Sequence, residues 1–65
     1  AYTKADFTAK MSIALKEASE TEFWIELLRD TYFITEQQAN SMLTDCTELI
    51  KLLMTIIKTS QGKNN

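Results

Sequence analysis

Thr31-Tyr32-Phe33-Ile34-Thr35-Glu36-Gln37-Gln38 is the stretch that decides the fold. Its first four residues are β-branched or aromatic, poor formers of a helix. Thr35 then opens a new helix. With Gln38 three residues on it spells a capping box, in which the threonine hydroxyl accepts from the Gln38 amide and the glutamine reaches back. Ile34, just before the cap, is placed to staple onto Ala39. Helical patterns flank this break on both sides. A connection of about three residues between two long helices forces them to run antiparallel.

Upstream, Thr3 and Asp6 form a weaker capping box, the acid replacing Glu or Gln. From there Phe7, Met11, Ala14, Ala18, Thr21, Ile25, Leu28 and Tyr32 recur by four and three, a heptad seam broken only by the small polar Thr21. Ala14, Ala18 and Thr21 are small and let a partner helix approach closely. A second apolar patch, Ile13, Trp24 and Leu27, lies roughly 100–160° around the same helix, with Phe23 just beyond. A large aromatic outside the main seam is either an exposed accident or part of a second interface. Ile13 and Leu27 beside it favour the interface.

Downstream, Ala39, Met42, Cys46, Leu49, Leu53 and Ile56 alternate by three and four, and Leu43, Ile50 and Ile57 widen the stripe at intervals of seven. The resulting arc is about 160° wide, too wide for one partner helix and suited to a bundle. Gly62 is placed as a C-cap, with Lys58 and Lys63 near the negative helix end. The pattern predicts helices over about 4–31 and 36–60, each about 40 Å long. Residues 1–65 form a single domain, with 61–65 as a frayed tail.

Composition narrows the function. The chain has 65 residues, no proline, no histidine, one glycine and one cysteine. So short a chain is marginal alone, and with neither an internal disulfide nor a Cys/His zinc site available, association is the remaining route to stability. The net charge of −2, from 7 basic and 9 acidic residues, gives no global attraction to phosphate. No apolar run spans a bilayer, neither helix has a lysine-rich polar face for a membrane surface, and no signal peptide is visible. A lone thiol fits the cytoplasm. The chain begins at Ala1 rather than methionine, which points to a processed or truncated protein.

Side chains that carry chemistry have bland readings here. Cys46 has no histidine partner and lies on the seam, so a buried inert thiol is preferred to a nucleophile or redox sensor. Glu17, Glu20, Glu22, Glu26 and Asp30 cannot supply the Glu-x-x-His pairs of a bundle metal site. They read as a solvated face with Lys16–Glu20 and Glu26–Arg29 pairs, Glu22 alone standing near the seam edge. Without a glycine loop or a paired nucleophile and base, no catalytic residue, cofactor or metal is expected. Lys51 and Lys58, seven apart on one helix face, are the candidate nucleic-acid contacts, against the simpler reading of a solvated face.

The segments Lys4-Ala5-Asp6-Phe7, Ile13 through Trp24, Asp45 through Leu53 and Ile56-Ile57-Lys58-Thr59-Ser60 resemble the second half of the bacterial four helix bundle proteins, also called 23S rRNA intervening-sequence proteins. The resemblance runs from Thr3 to Ser60. It implies an antiparallel four-helix bundle about twice this length, assembly of some members into rings, commonly pentamers, and no established catalytic residues. A related branch of accessory proteins binds reverse transcriptase and nucleic acid through basic surfaces, a charge pattern this acidic chain lacks. The family's two preceding helices, with a motif resembling Ser-Ile-x-x-Asn-Ile-Ala-Glu-Gly, do not occur in this sequence. The expectation is therefore an all-α hairpin forming half of a four-helix bundle, completed by self-association, from dimer to pentamer, or by those helices. The expected role is a non-enzymatic interaction scaffold whose interface is Ile13, Trp24 and Leu27. The alternative is an accessory protein for nucleic acid or reverse transcriptase.

Overall fold

The computed structural model describes residues 3–62. The expected tail residues Lys63, Asn64 and Asn65, with the cap role given to Lys63, lie outside them. Two helices make up the fold, α1 over Lys4–Asp30 and α2 over Glu36–Ser60. Both starts follow from the capping boxes. Thr3 Oγ1 accepts from the Asp6 amide at 3.0 Å, and the Asp6 carboxylate accepts from the Thr3 amide at 3.4 Å. Thr35 Oγ1 accepts from the Gln38 amide at 3.0 Å, and Gln38 Oε1 accepts from the Thr35 amide at 2.9 Å. Each box satisfies donors that the first helical turn leaves free. Ala39 is fully buried and Ile34 half-buried, the burial pattern a hydrophobic staple produces.

The first helix ends in a way the sequence does not advertise. Thr31 is its C-cap, and Tyr32 follows with φ +66°. The Tyr32 amide donates to the Arg29 carbonyl at 3.0 Å and the Phe33 amide to that of Leu28 at 2.9 Å. This is a Schellman motif, with tyrosine in the left-handed position that glycine normally fills. Tyr32 therefore does not belong to the α1 seam; it projects from the turn, 91% exposed. The far end of α2 is more ordinary. Gln61 is the C-cap, and Gly62, one residue later than expected, takes φ +72° while its amide donates to the Thr59 carbonyl at 3.0 Å.

The helices run antiparallel in register. Thr8 meets Ser60 through their hydroxyls, the Cys46 thiol donates to the Ala18 carbonyl at 3.1 Å, and Thr47 Oγ1 donates to Glu22 at 3.3 Å. From Thr8–Ser60 to Ala18–Cys46, positions climb along α1 as they fall along α2. The middle of the seam is a cluster of Ala18, Cys46 and Leu53, with Met11, Ala14, Leu15 and Ile50 packed on it. Ala18 lets the backbones approach, which is why its carbonyl lies within reach of a cysteine on the facing helix.

Burial fixes which rows of each helix face the other. On α1 they are Met11, Ala18 and Ile25, with Thr8, Leu15, Glu22 and Arg29. On α2 they are Ala39, Cys46, Leu53 and Ser60, with Leu43, Ile50 and Ile57. Both sets keep heptad spacing. Within the hairpin they lie one row from the expected seams. Phe7 and Leu28 on α1, and Met42 and Leu49 on α2, are exposed in the hairpin, and Ala14 and Ile56 are half-buried at its edge. The central row of each expected seam is the one the hairpin covers: Ala18, Ile25, Cys46 and Leu53 are buried and Met11 half-buried. The reason for the shift is that both edges of the apolar arc have the same spacing, and the outer edge of α1 is the more apolar.

Candidate functional site

The displaced rows define a surface. On α1, the row Phe7, Ala14, Thr21, Leu28 sits one residue before the seam row Thr8, Leu15, Glu22, Arg29. On α2, Met42, Leu49, Ile56 stands in the same relation to Leu43, Ile50, Ile57. Antiparallel helices are related by an approximate twofold axis normal to the plane that holds them. Equivalent rows therefore flank the seam on the same side. That side of the hairpin, its open side, is apolar along its length. Trp24 and Leu52, equivalent positions one row further out, extend it, at 56% and 55% exposure.

Of the expected interface, Trp24 lies on the open side. Its ring meets Phe23 edge-on, with centroids 5.1 Å apart. Ile13 and Leu27, also exposed, belong to the row of α1 that points directly away from α2. The apolar surface thus starts at the seam, crosses the open side and wraps onto the back of α1. The opposite side carries Ser12, Ser19 and Glu26 of α1 and Asn40, Thr47 and Lys51 of α2, with Phe23 and Met54 as its apolar exceptions.

A model of the 23S rRNA-intervening sequence protein family matches residues 1–55, most of the chain. The chain belongs to that family. No curated protein and no solved structure matches it. The match stops at Thr55 inside α2, so Ile56-Ile57-Lys58-Thr59-Ser60, which contributed to the resemblance, lies beyond it.

Three further features bear on what this member of the 23S rRNA-intervening sequence protein family does. Cys46 is buried, its thiol occupied by the Ala18 carbonyl. Glu22 is half-buried on the seam and held by Thr47, and the ion pair formed by Arg29 is with Asp30 at 3.2 Å, where Glu26 was the expected partner. Among the described residues no group of three His, Cys, Asp or Glu side chains is placed to hold a metal, and no helix is long and apolar enough to cross a membrane.

Charge is divided along the hairpin. The antiparallel register puts Lys4, Lys10, Lys16, Lys51 and Lys58 in the half remote from the turn, against Asp6 and Glu17. The turn half, residues 18–50, carries Glu20, Glu22, Glu26, Asp30, Glu36, Asp45 and Glu48 against Arg29. Lys51 and Lys58 thus sit with Lys16 at the basic end, on the polar side. A reading of each helix by itself misses this division. It becomes visible once the turn at Tyr32–Ile34 folds the two halves of the sequence back on each other.

Proposed function

We propose that the chain is a non-enzymatic helical-bundle module of the cytoplasm that acts by self-association, as a scaffold for further contacts. The observation that carries this reading is the one-sided distribution of large apolar side chains. Phe7, Trp24, Leu28, Met42, Leu49 and Leu52 are exposed and share the open side of the hairpin. An exposed apolar surface of that extent marks an interaction site. A bundle supplies the cover it needs, because helices laid along the open side restore a two-layer core. A catalytic role has no support of comparable strength, since the only thiol is buried and hydrogen-bonded.

The test is solution mass by light scattering after size exclusion, across a dilution series. A closed oligomer that dissociates on dilution is the expected outcome. A helical monomer at every concentration overturns self-association. A second reading, an accessory protein for nucleic acid or reverse transcriptase, is favoured by the gathering of five lysines in one half. It predicts RNA binding that weakens steeply with salt, and is removed by an absence of binding at low salt.

A further inference from the structure

We infer that a second copy of this chain covers the open side, turned so that the two turns lie side by side and α1 of each copy rests on α2 of the other. This rests on the self-association reading and adds to it the orientation and register of the partner. The size of the face admits such a partner. The described hairpin is 43 × 21 × 16 Å, and its broad side offers roughly the 800 Å² per partner of a stable interface. A second identical face is apolar along the same length, so copies match patch to patch, as a twofold interface requires.

Orientation is set by the side chains that line the face. Face-to-face pairing of two hairpins allows two twofold axes. One lies along the hairpin and lays α1 of one copy over α2 of the other, turn beside turn. The other lies across the hairpin and lays each helix over its own copy, reversed. The open-side rows differ in size at mid-length. There α1 offers Ala14 and Thr21, whereas α2 offers Leu49 with Leu52 beside it. The axis along the hairpin sets small side chains over large ones, the alternation that lets two layers interdigitate. The axis across it sets small over small on one pair of helices and large over large on the other.

The axis along the hairpin also fixes the register, because it displaces nothing lengthwise. The contacts Thr8–Ser60, Ala18–Cys46 and Glu22–Thr47 put Ile56 roughly level with Met11, Leu49 with Ala18 and Met42 with Ile25. Ala14 of one copy then falls between the partner's Ile56 and Leu49, and Thr21 between the partner's Leu49 and Met42. That is knobs-into-holes spacing. Charge on the face agrees. Glu17 shares the outer row of Trp24 and stands at mid-length, so the axis across the hairpin brings it against its own copy. The axis along the hairpin avoids that like-charge contact.

Two measurements test this. Thr21 is exposed in the hairpin, so Thr21→Leu leaves the monomer's helix content unchanged. In the dimer it overfills the gap between the partner's Leu49 and Met42, and the dimer dissociation constant should rise about tenfold. Adding Leu49→Ala should bring it back to within about threefold. In the reversed arrangement Thr21 lies over the partner's Ala14, where a leucine fits and tightens the dimer. The second measurement places a spin label on Phe33→Cys, at the exposed turn, with Cys46→Ala. Labels in one dimer should lie within about 25 Å of each other, whereas the reversed arrangement puts them about 40 Å apart. Labels about 40 Å apart, or a Thr21→Leu dimer as tight as the unmodified one or tighter, overturn the turn-beside-turn orientation while leaving self-association intact. Failure of Leu49→Ala to restore the Thr21→Leu dimer overturns the register. A chain that stays monomeric overturns both the orientation and self-association.

Discussion

The two edges of the apolar arc on α1 have opposite characters, and the edge turned inward is the more polar one. Facing α2 are Thr8, Leu15, Glu22 and Arg29; facing outward on the open side are Phe7, Ala14, Thr21 and Leu28, with Trp24 beyond. A hairpin built only to be stable by itself would reverse that choice. Here two of the inner polar groups are tolerated because the seam gives them partners, Thr8 with Ser60 and Glu22 with Thr47, while Arg29 pairs with its exposed neighbour Asp30. Each such contact contributes little net stability, but a bonded group avoids the penalty of an unpaired one. Large apolar side chains at the outer edge gain little in the hairpin alone, because water still reaches them. Large apolar side chains therefore lie mainly on the side that the sister helix leaves uncovered.

The largest expected effect separates the edges with one chemical change. Leu53→Ala removes a buried side chain next to Ala18 and Cys46 and should cost about 2–5 kcal/mol. In a chain this small that is most of the stability. Thermal melts by circular dichroism, at a dilution where the chain is monomeric, should lose their cooperative transition. Leu49→Ala removes the same atoms from a residue 47% exposed and should cost less than about 1 kcal/mol under those conditions. Equal destabilisation by the two would erase the distinction between inner and outer edge.

Trp24→Ala asks the complementary question of the outer edge. Trp24 is 56% exposed and makes its ring contact with a neighbour in sequence, so helix content should be nearly unchanged. Association should weaken about tenfold, the loss expected when a large aromatic is truncated within an interface. An oligomer mass that survives dilution as well as the wild type does would place the contact elsewhere and leave Trp24 an exposed accident.

How far these features were legible in the sequence depends on whether a local signal had one reading or two. Thr3 with Asp6 and Thr35 with Gln38 have one reading, because a hydroxyl three residues before a side-chain acceptor satisfies free amides at a helix start. Both starts follow from them, and with the short break between helices they fix the antiparallel hairpin. The seam had two readings. Ala18, Ile25, Cys46 and Leu53 belong to a buried row under either. Whether Phe7 and Leu49 or Thr8 and Ile50 complete it depends on which edge meets the sister helix, and heptad spacing is identical for both. Apolar content on α1 pointed to the edge that the hairpin leaves exposed, because that edge is the richer in large side chains. The division of charge was likewise present residue by residue, and it needed the register across the turn to become a property of the two ends.

Tyr32 carried no sequence signal at all, and it supplies the smallest predicted effect. Glycine at C′ is the usual mark of a helix end, and the turn contains none. The backbone nevertheless takes φ +66° at Tyr32, because the amides of Tyr32 and Phe33 close onto the Arg29 and Leu28 carbonyls. A side chain with a Cβ pays about 1 kcal/mol for that conformation, and this one, 91% exposed, regains little through packing in the hairpin. Tyr32→Gly should therefore stabilise the monomer by about 0.5–1 kcal/mol, part of the relief being offset by glycine's greater freedom when unfolded. The melting temperature should rise by roughly 2–8 °C. The result also sharpens the contrast between inner and outer surfaces. A monomer stabilised by Tyr32→Gly whose oligomer is unaffected would make the tyrosine an incidental occupant of a strained position. A stabilised monomer with weakened association would mean that the ring is held in the left-handed turn for the partner, as Phe7 and Trp24 are held on the open side.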